Sequence, residues 1–200
     1  MNAPAVTTSA PTWMQTYTGL AFDLLNPTPE AICIEDIAHH LSQINRYTGA
    51  SRKPITVAQH CVRVGMLLPP RLRLPGLLHE PEEAYLNDWS SPLKVVFRQI
   101  APQIFPLLVD PIKRAVEARF GLEWLTYEDR AEIKRADLIM LATEKRDQLG
   151  PSPRDDWAAS SGHPLQEASS DERLAMRSPW SAADAEFNFL VRFSDWGGKT

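Results

Sequence analysis

The sequence predicts an all-α protein, a bundle of six or seven helices with a small β-hairpin near the N-terminus. Three observations predict it. Apolar residues recur at three- and four-residue steps along most of the chain. Capping residues and glycine or proline stops bound those runs. Only one short stretch carries the aromatic and β-branched residues of strands. The 200 residues, 44% of them hydrophobic and 23% charged, suffice for one domain with a sizeable core. Seventeen prolines keep the helices short and sharply bounded.

Residues 1–12, small and polar with two prolines, read as a flexible tail. Residues 13–25 fit a hairpin turning at Thr18-Gly19. The helical domain occupies residues 13–149. Ile34, Ile37, Ala38, Leu41 and Ile44 mark a first helix over 34–45, in a stretch that Gly49 ends. Thr56 and Gln59 form a capping box for a helix that runs to Pro69-Pro70. Another helix is expected over about 72–80. After a turn at 87–91, a short helix carries Lys94 and Phe97. Pro106 opens a helix that ends at Phe120, with Gly121 as its left-handed cap. Thr126 and Asp129 start the longest helix, reaching about 149.

Residues 150–171, rich in Gly, Pro and Ser, read as an irregular loop. Residues 172–200 hold a last helix, capped by Ser181 and Asp184. Trp180, Phe187, Phe189, Phe193 and Trp196 give this helix more apolar surface than a free arm would show. It is expected to pack back on the domain, and a homo-oligomer interface (dimer or higher) is the lesser alternative.

Composition excludes several function classes. A net charge of −4 with no basic stripe argues against nucleic acid and anionic membranes as partners. No apolar run approaches the ~18–20 residues of a membrane span, and the first residues lack a secretory signal pattern. Two cysteines, Cys33 and Cys61, make no disulfide scaffold and fit a reducing cytoplasm.

Polar groups inside apolar helical runs are the informative ones, since burying them unpaired costs several kcal/mol. His60 sits among Ala58, Cys61 and Val64; His79-Glu80 closes the apolar run from Leu74; Asp137 shares a face with Ile133, Ala136 and Met140. Delivered by three helices, two imidazoles and two carboxylates make a mixed N/O set suited to a divalent transition metal. A metal so held lowers the pKa of bound water and clamps a phosphoryl oxygen. Taken singly, each His also fits a hydrogen-bonded core residue, and Asp137 fits an ion pair with Lys134, Arg135 or Arg46. His39, His40 and His163 are assigned to surface or structure.

In order, His60, His79-Glu80 and Asp137 resemble the H…HD…D pattern of the HD-domain metal-dependent phosphohydrolases. Ile44-Asn45-Arg46-Tyr47 resembles the Ile-Asn-Arg-aromatic segment of the bacterial 5′-deoxynucleotidases in that superfamily. His79, Glu83, Asp88, Pro92 and Lys94 match their H-D-x-x-E…D-x-x-x-P-x-K block, which small phage dATP triphosphohydrolases share. The matches span roughly residues 34 to 147.

The resemblance implies an HD-domain-like helical bundle and a hydrolase of nucleotide phosphate esters, deoxynucleoside mono- or triphosphates. His60, His79, Glu80 and Asp137 would ligate a divalent Mn, Co, Zn or Fe ion. Glu83 would be the general base or the acid that orients the water, and Asp88 would sit near the sugar or behind the metal ligands. Arg46 and Lys94 would hold phosphate oxygens, Tyr47 would stack on the base, and Arg52 and Lys53 are further phosphate candidates on position alone.

One departure matters: the family's His-Asp is His79-Glu80 here. The added methylene moves the carboxylate outward by roughly 1.5 Å on a fixed backbone, against a metal–ligand tolerance of ~0.2 Å. Pro81, if helical, would kink the segment. Glu80 could ligate through another rotamer, favouring a larger ion such as Mn²⁺. It could instead leave the metal to His60, His79 and Asp137, or the site could bind nucleotide without catalysis. The alternative functions are therefore a nucleotide-sensing regulatory protein and a helical protein whose polar residues form internal salt bridges.

Overall fold

The computed structural model describes residues 10–152, 154 and 166–199. Most of the expected loop at 150–171, most of the expected tail at 1–12, and His163 lie outside them. The protein is all-α with an N-terminal hairpin. Strands β1 (Trp13–Gln15) and β2 (Ala21–Asp23) pair antiparallel, Met14 opposite Phe22. The helices are α1 (Ile34–Gln43), α2 (Val57–Leu67), α3 (Arg73–Leu77), α4 (Glu83–Leu86), α5 (Ser91–Ile100), α6 (Asp110–Phe120), α7 (Tyr127–Gln148) and α8 (Ala182–Asp195). That is eight among the described residues, against six or seven expected. The surplus one is the four-residue α4. No described helix is long and apolar enough to cross a membrane.

The hairpin turns at Gly19, whose φ of 91° suits glycine. It docks by burying Phe22, which stacks on Tyr85 at 3.8 Å between ring centroids. Helices α1, α2 and α8 share the main core, built around Ile37, Leu41, Val57, Cys61, Phe189 and Phe193. Burying a side chain such as Phe189 completely stabilises the fold by about 1.5–3 kcal/mol, which fixes α8 on the body. A smaller cluster, including Val64, Leu68, Met140 and Met176, joins α2 to α7.

Boundaries follow local chemistry. Helix α7 is the longest, and both halves of its Thr126–Asp129 capping box form. Gly121 ends α6 in the left-handed conformation, φ 65°. A single π-helical turn, Phe105–Val109, precedes α6 where one continuous helix from Pro106 was expected. Of the Thr56–Gln59 box only the threonine half forms, Oγ1 accepting from the Gln59 amide at 3.1 Å. The buried Gln59 side chain instead accepts from the Trp180 amide at 2.9 Å, anchoring the approach to α8.

Two corrections bear on the site. Helix α1 stops at Gln43 rather than Asn45, because the next residues enter a short antiparallel bridge. There the Val57 amide donates to the Ile44 carbonyl (3.0 Å) and the Arg46 amide to the Ile55 carbonyl (2.9 Å). Helix α3 stops at Leu77 rather than Glu80. Pro81 has no amide hydrogen and disfavours helix at the residue before it, so the chain leaves the helix early and no kink arises. Where α3 crosses α2, a methyl group at Gly76 would meet the Leu68 side chain and lie 3.3 Å from Gly65 Cα. That close approach carries the residues after α3 toward α2.

Candidate metal centre

Helix α2 presents His60 one turn after its cap, fully buried. The turn leaving α3, and not a helix as expected, supplies His79. Helix α7 supplies Asp137 from its core-facing side. One ligand atom from each of these three residues lies within 4.8 Å of the others. Asp137 Oδ1 is 3.1 Å from His60 Nε2 and 3.9 Å from His79 Nε2.

Both imidazoles are held from behind. His79 Nδ1 donates to the Gly76 carbonyl at 2.8 Å, and His60 Nδ1 donates to Glu144 Oε1 at 2.7 Å. Each ring thus directs Nε2 inward, and both Nε2 atoms are buried without an aligned hydrogen-bond partner. A buried polar atom left unpaired is costly, and a neutral imidazole with Nδ1–H committed offers its Nε2 lone pair to a metal. The three residues can therefore hold a metal ion.

Glu80 stands beside this triangle. Its Oε2 lies 3.7 Å from His79 Nε2 and 4.0 Å from His60 Nε2, but also 3.4 Å from Arg46 Nη1. It is not among the three convergent residues.

Sequence reasoning missed Glu144. Fully buried on α7, it accepts from Arg46 Nε at 2.9 Å and from Tyr47 Oη at 2.5 Å as well as from His60. Glu144 lies seven residues after Asp137, two turns along the same face, but its partners come from other elements. Arg46 and Tyr47 reach it from a left-handed turn in which Tyr47, Thr48 and Gly49 all have positive φ. For the two non-glycines this costs roughly 1–2 kcal/mol each, and Glu144 helps hold it. The Tyr47 hydroxyl is thus committed, while the residue still lines the adjoining cavity. Lys134, one turn before Asp137, donates to its Oδ2 at 2.6 Å and leaves Oδ1 facing the histidines.

Glu83 is buried at the start of α4, its Oε1 accepting from Lys94 Nζ at 3.0 Å. Asp88 and Lys94 line a cavity of about 760 Å³ together with Arg46, Tyr47, Glu80 and Asp137. Arg52 and Lys53 are exposed and are not brought to it. His39 stacks on Tyr17 and pairs with Glu186 at 3.0 Å, and His40 binds the Ala84 carbonyl; both are structural.

Charge is sorted sharply. Burial and the nearby Arg46 disfavour the charged form of His60, yet Glu144 and Asp137 prevail and raise it from 6.5 to about 9. Burial pushes His79 down to about 4, against attraction from Glu80 and Asp137. Burial raises the Glu83 carboxyl well above its ordinary range, reinforced by Glu80 and opposed by Lys94. Asp137 resists burial and is held far below its ordinary value by the two histidines and Lys134.

The sign for metal uptake follows. A metal at His60 Nε2 must displace the proton held there up to about pH 9. Metal affinity is therefore expected to rise by about tenfold per pH unit from neutrality to that point, then level off. In the metal-free protein the same raised pKa stabilises the fold below about pH 6.5, and that contribution is lost as pH rises through about 9. Chelator competition and melting curves with and without metal, across that range, check both slopes.

No family model matches the chain. It is 31% identical over 183 residues to the uncharacterized protein YfdR of Escherichia coli K12, covering 92% of this chain and 94% of that one. It is 33% identical over 148 residues to an uncharacterized protein of Rhodobacter capsulatus, covering 69% and 74% of the two chains. With a third of positions shared across nearly the full length of both chains, this protein belongs to the YfdR family.

Proposed function

We propose that the protein is a metal-dependent phosphohydrolase acting on nucleotides, deoxynucleoside mono- or triphosphates, with the HD-type site that the sequence resembles. One observation carries this reading: two imidazoles whose Nε2 atoms lack an aligned hydrogen bond converge with Asp137 at the wall of a cavity that Arg46, Lys94 and Lys134 also line. The N/O donor set suits Mn, Co, Zn or Fe, and such an ion would polarise a water molecule and a phosphoryl oxygen.

The chain's own residues account for the rest. Arg46 and Lys94 hold phosphate oxygens, whose charge persists through the transition state. Glu83 takes a proton from the attacking water; burial gives its carboxyl the high pKa that a base needs near neutrality, and Lys94 favours its ionised form. The water oxygen bonds phosphorus, the ester P–O bond breaks, and the leaving oxygen takes up a proton.

Metal analysis of the purified protein, followed by product identification across ribo- and deoxynucleotides with each metal, tests the reading. Release of phosphate or polyphosphate supports it. Binding without release in every metal supports a nucleotide sensor, the reading that Glu80's contact with Arg46 favours. Glu80→Asp is expected to retain or raise turnover, because the shorter carboxylate withdraws from Arg46 and frees that guanidinium for substrate. A loss of turnover in Glu80→Asp would show that the glutamate is required.

A further inference from the structure

We infer that water reaches the metal centre through a cavity of its own, on the far side from the cavity that admits the phosphate ester. The inference rests on the hydrolase reading above. The 760 Å³ cavity meets a second one of about 420 Å³ at Glu80, Lys94, Lys134 and Asp137. Helix α5 forms part of the partition, with Lys94 and Arg98 facing both.

The walls that the cavities do not share differ in charge and in chemistry. The larger one has Arg46 and Arg154 against Asp88, so it favours an anion. The smaller one has Glu82, Glu83, Asp110 and Glu117 against Lys113 and Arg130, so it disfavours one. The proposed base Glu83 and the ligand His79 line the smaller cavity and not the larger. Glu82 Oε2, Glu83 Oε2 and His79 Nε2 are buried polar atoms with no hydrogen-bond partner in the protein. The walls are largely apolar, but these three unsatisfied acceptors supply the polar partners that an internal water needs.

In-line displacement at phosphorus needs the nucleophile and the leaving group on opposite sides. Ester in the cationic cavity and water in the acidic one would approach from the two sides of their shared wall, with Glu83 on the water side to receive the proton. The acidic wall also keeps the anionic product from leaving by the water route.

The test uses the full chain loaded with Mn²⁺, whose unpaired electrons speed the relaxation of exchanging water protons. Relaxation is measured with and without saturating inorganic phosphate, alongside Mn²⁺ affinity. Wild-type protein is expected to keep most of its enhancement when phosphate is added. Leu86→Trp, which narrows the smaller cavity, is expected to bind Mn²⁺ as before but to lose the enhancement once phosphate is present. Leu125→Phe, on the same cavity, serves if the first variant does not fold. With an ester substrate either variant should lower kcat and leave KM in place. Quenching of the wild-type signal by phosphate, or variants that behave as wild type, would overturn the separate route while leaving the hydrolase reading standing. Protein that takes up no Mn²⁺ overturns that reading and this inference with it.

Discussion

Replacing Asp137 by alanine is expected to strip the protein of divalent metal while leaving the fold in place. The reasons are geometric. Asp137 is the only anion of the three-residue set, its Oδ1 lying 3.1 Å and 3.9 Å from the two histidine Nε2 atoms, while Glu80 Oε2 (4.0 and 3.7 Å from them) also contacts Arg46. Without Asp137 the dication must be held by two imidazoles that carry no negative charge. The loss should exceed the ~10–100-fold that removing an outer partner of a metal ligand costs. Stability should also fall, because His60 Nε2 loses its carboxylate neighbour at 3.1 Å in the interior, whereas Lys134 is half exposed and can turn to water. Metal content after dialysis and the urea midpoint of the metal-free protein check the two halves together. A full metal complement in Asp137→Ala would remove the basis of the ligand assignment.

How much of this was legible depended on where each residue's partners lie. His60, His79 and Asp137 stood out because a polar residue on an apolar helical face requires an explanation that local structure does not supply. The helix caps at Thr126, Gly121 and Ser181 were legible because a cap acts within four residues of itself. Gln59 looked like half of a capping box, yet its partner is the Trp180 amide, 121 residues away, and no local rule finds that. Glu144 was hidden for the same reason. It sits in the charged run Glu144-Lys145-Arg146-Asp147, which reads as a solvated face, while its partners Arg46 and His60 come from other elements. The left-handed turn at Tyr47-Thr48 was illegible because a β-branched Thr48 argues against positive φ; a tertiary contact from Tyr47 overrides that preference.

Glu144 should therefore matter to stability as much as to the metal. It is a fully buried carboxylate whose ionisation burial opposes and which Arg46 and His60 hold below its ordinary range. Deleting it leaves Arg46 Nε and His60 Nδ1 without their acceptor in the interior, and breaking a buried pair in this way costs about 3–5 kcal/mol. Glu144→Ala is expected to destabilise the metal-free protein by that amount, read as a fall in its urea midpoint at unchanged m, and to cost about 10–100-fold in metal affinity because nothing then orients His60. The two variants separate in their balance: Asp137→Ala loses the metal outright, whereas Glu144→Ala keeps part of the metal affinity but leaves three donors without their acceptor. Without Glu144's charge the His60 pKa falls from about 9, so the rise of metal affinity with pH should level off at lower pH than in wild type. Glu144→Gln, which keeps an acceptor but no charge, should recover part of the stability and none of that pH dependence. If Glu144→Ala melts at the wild-type urea concentration, or its metal affinity still climbs to the same pH, the carboxylate does not orient His60 and the imidazole must be held by Asp137 instead.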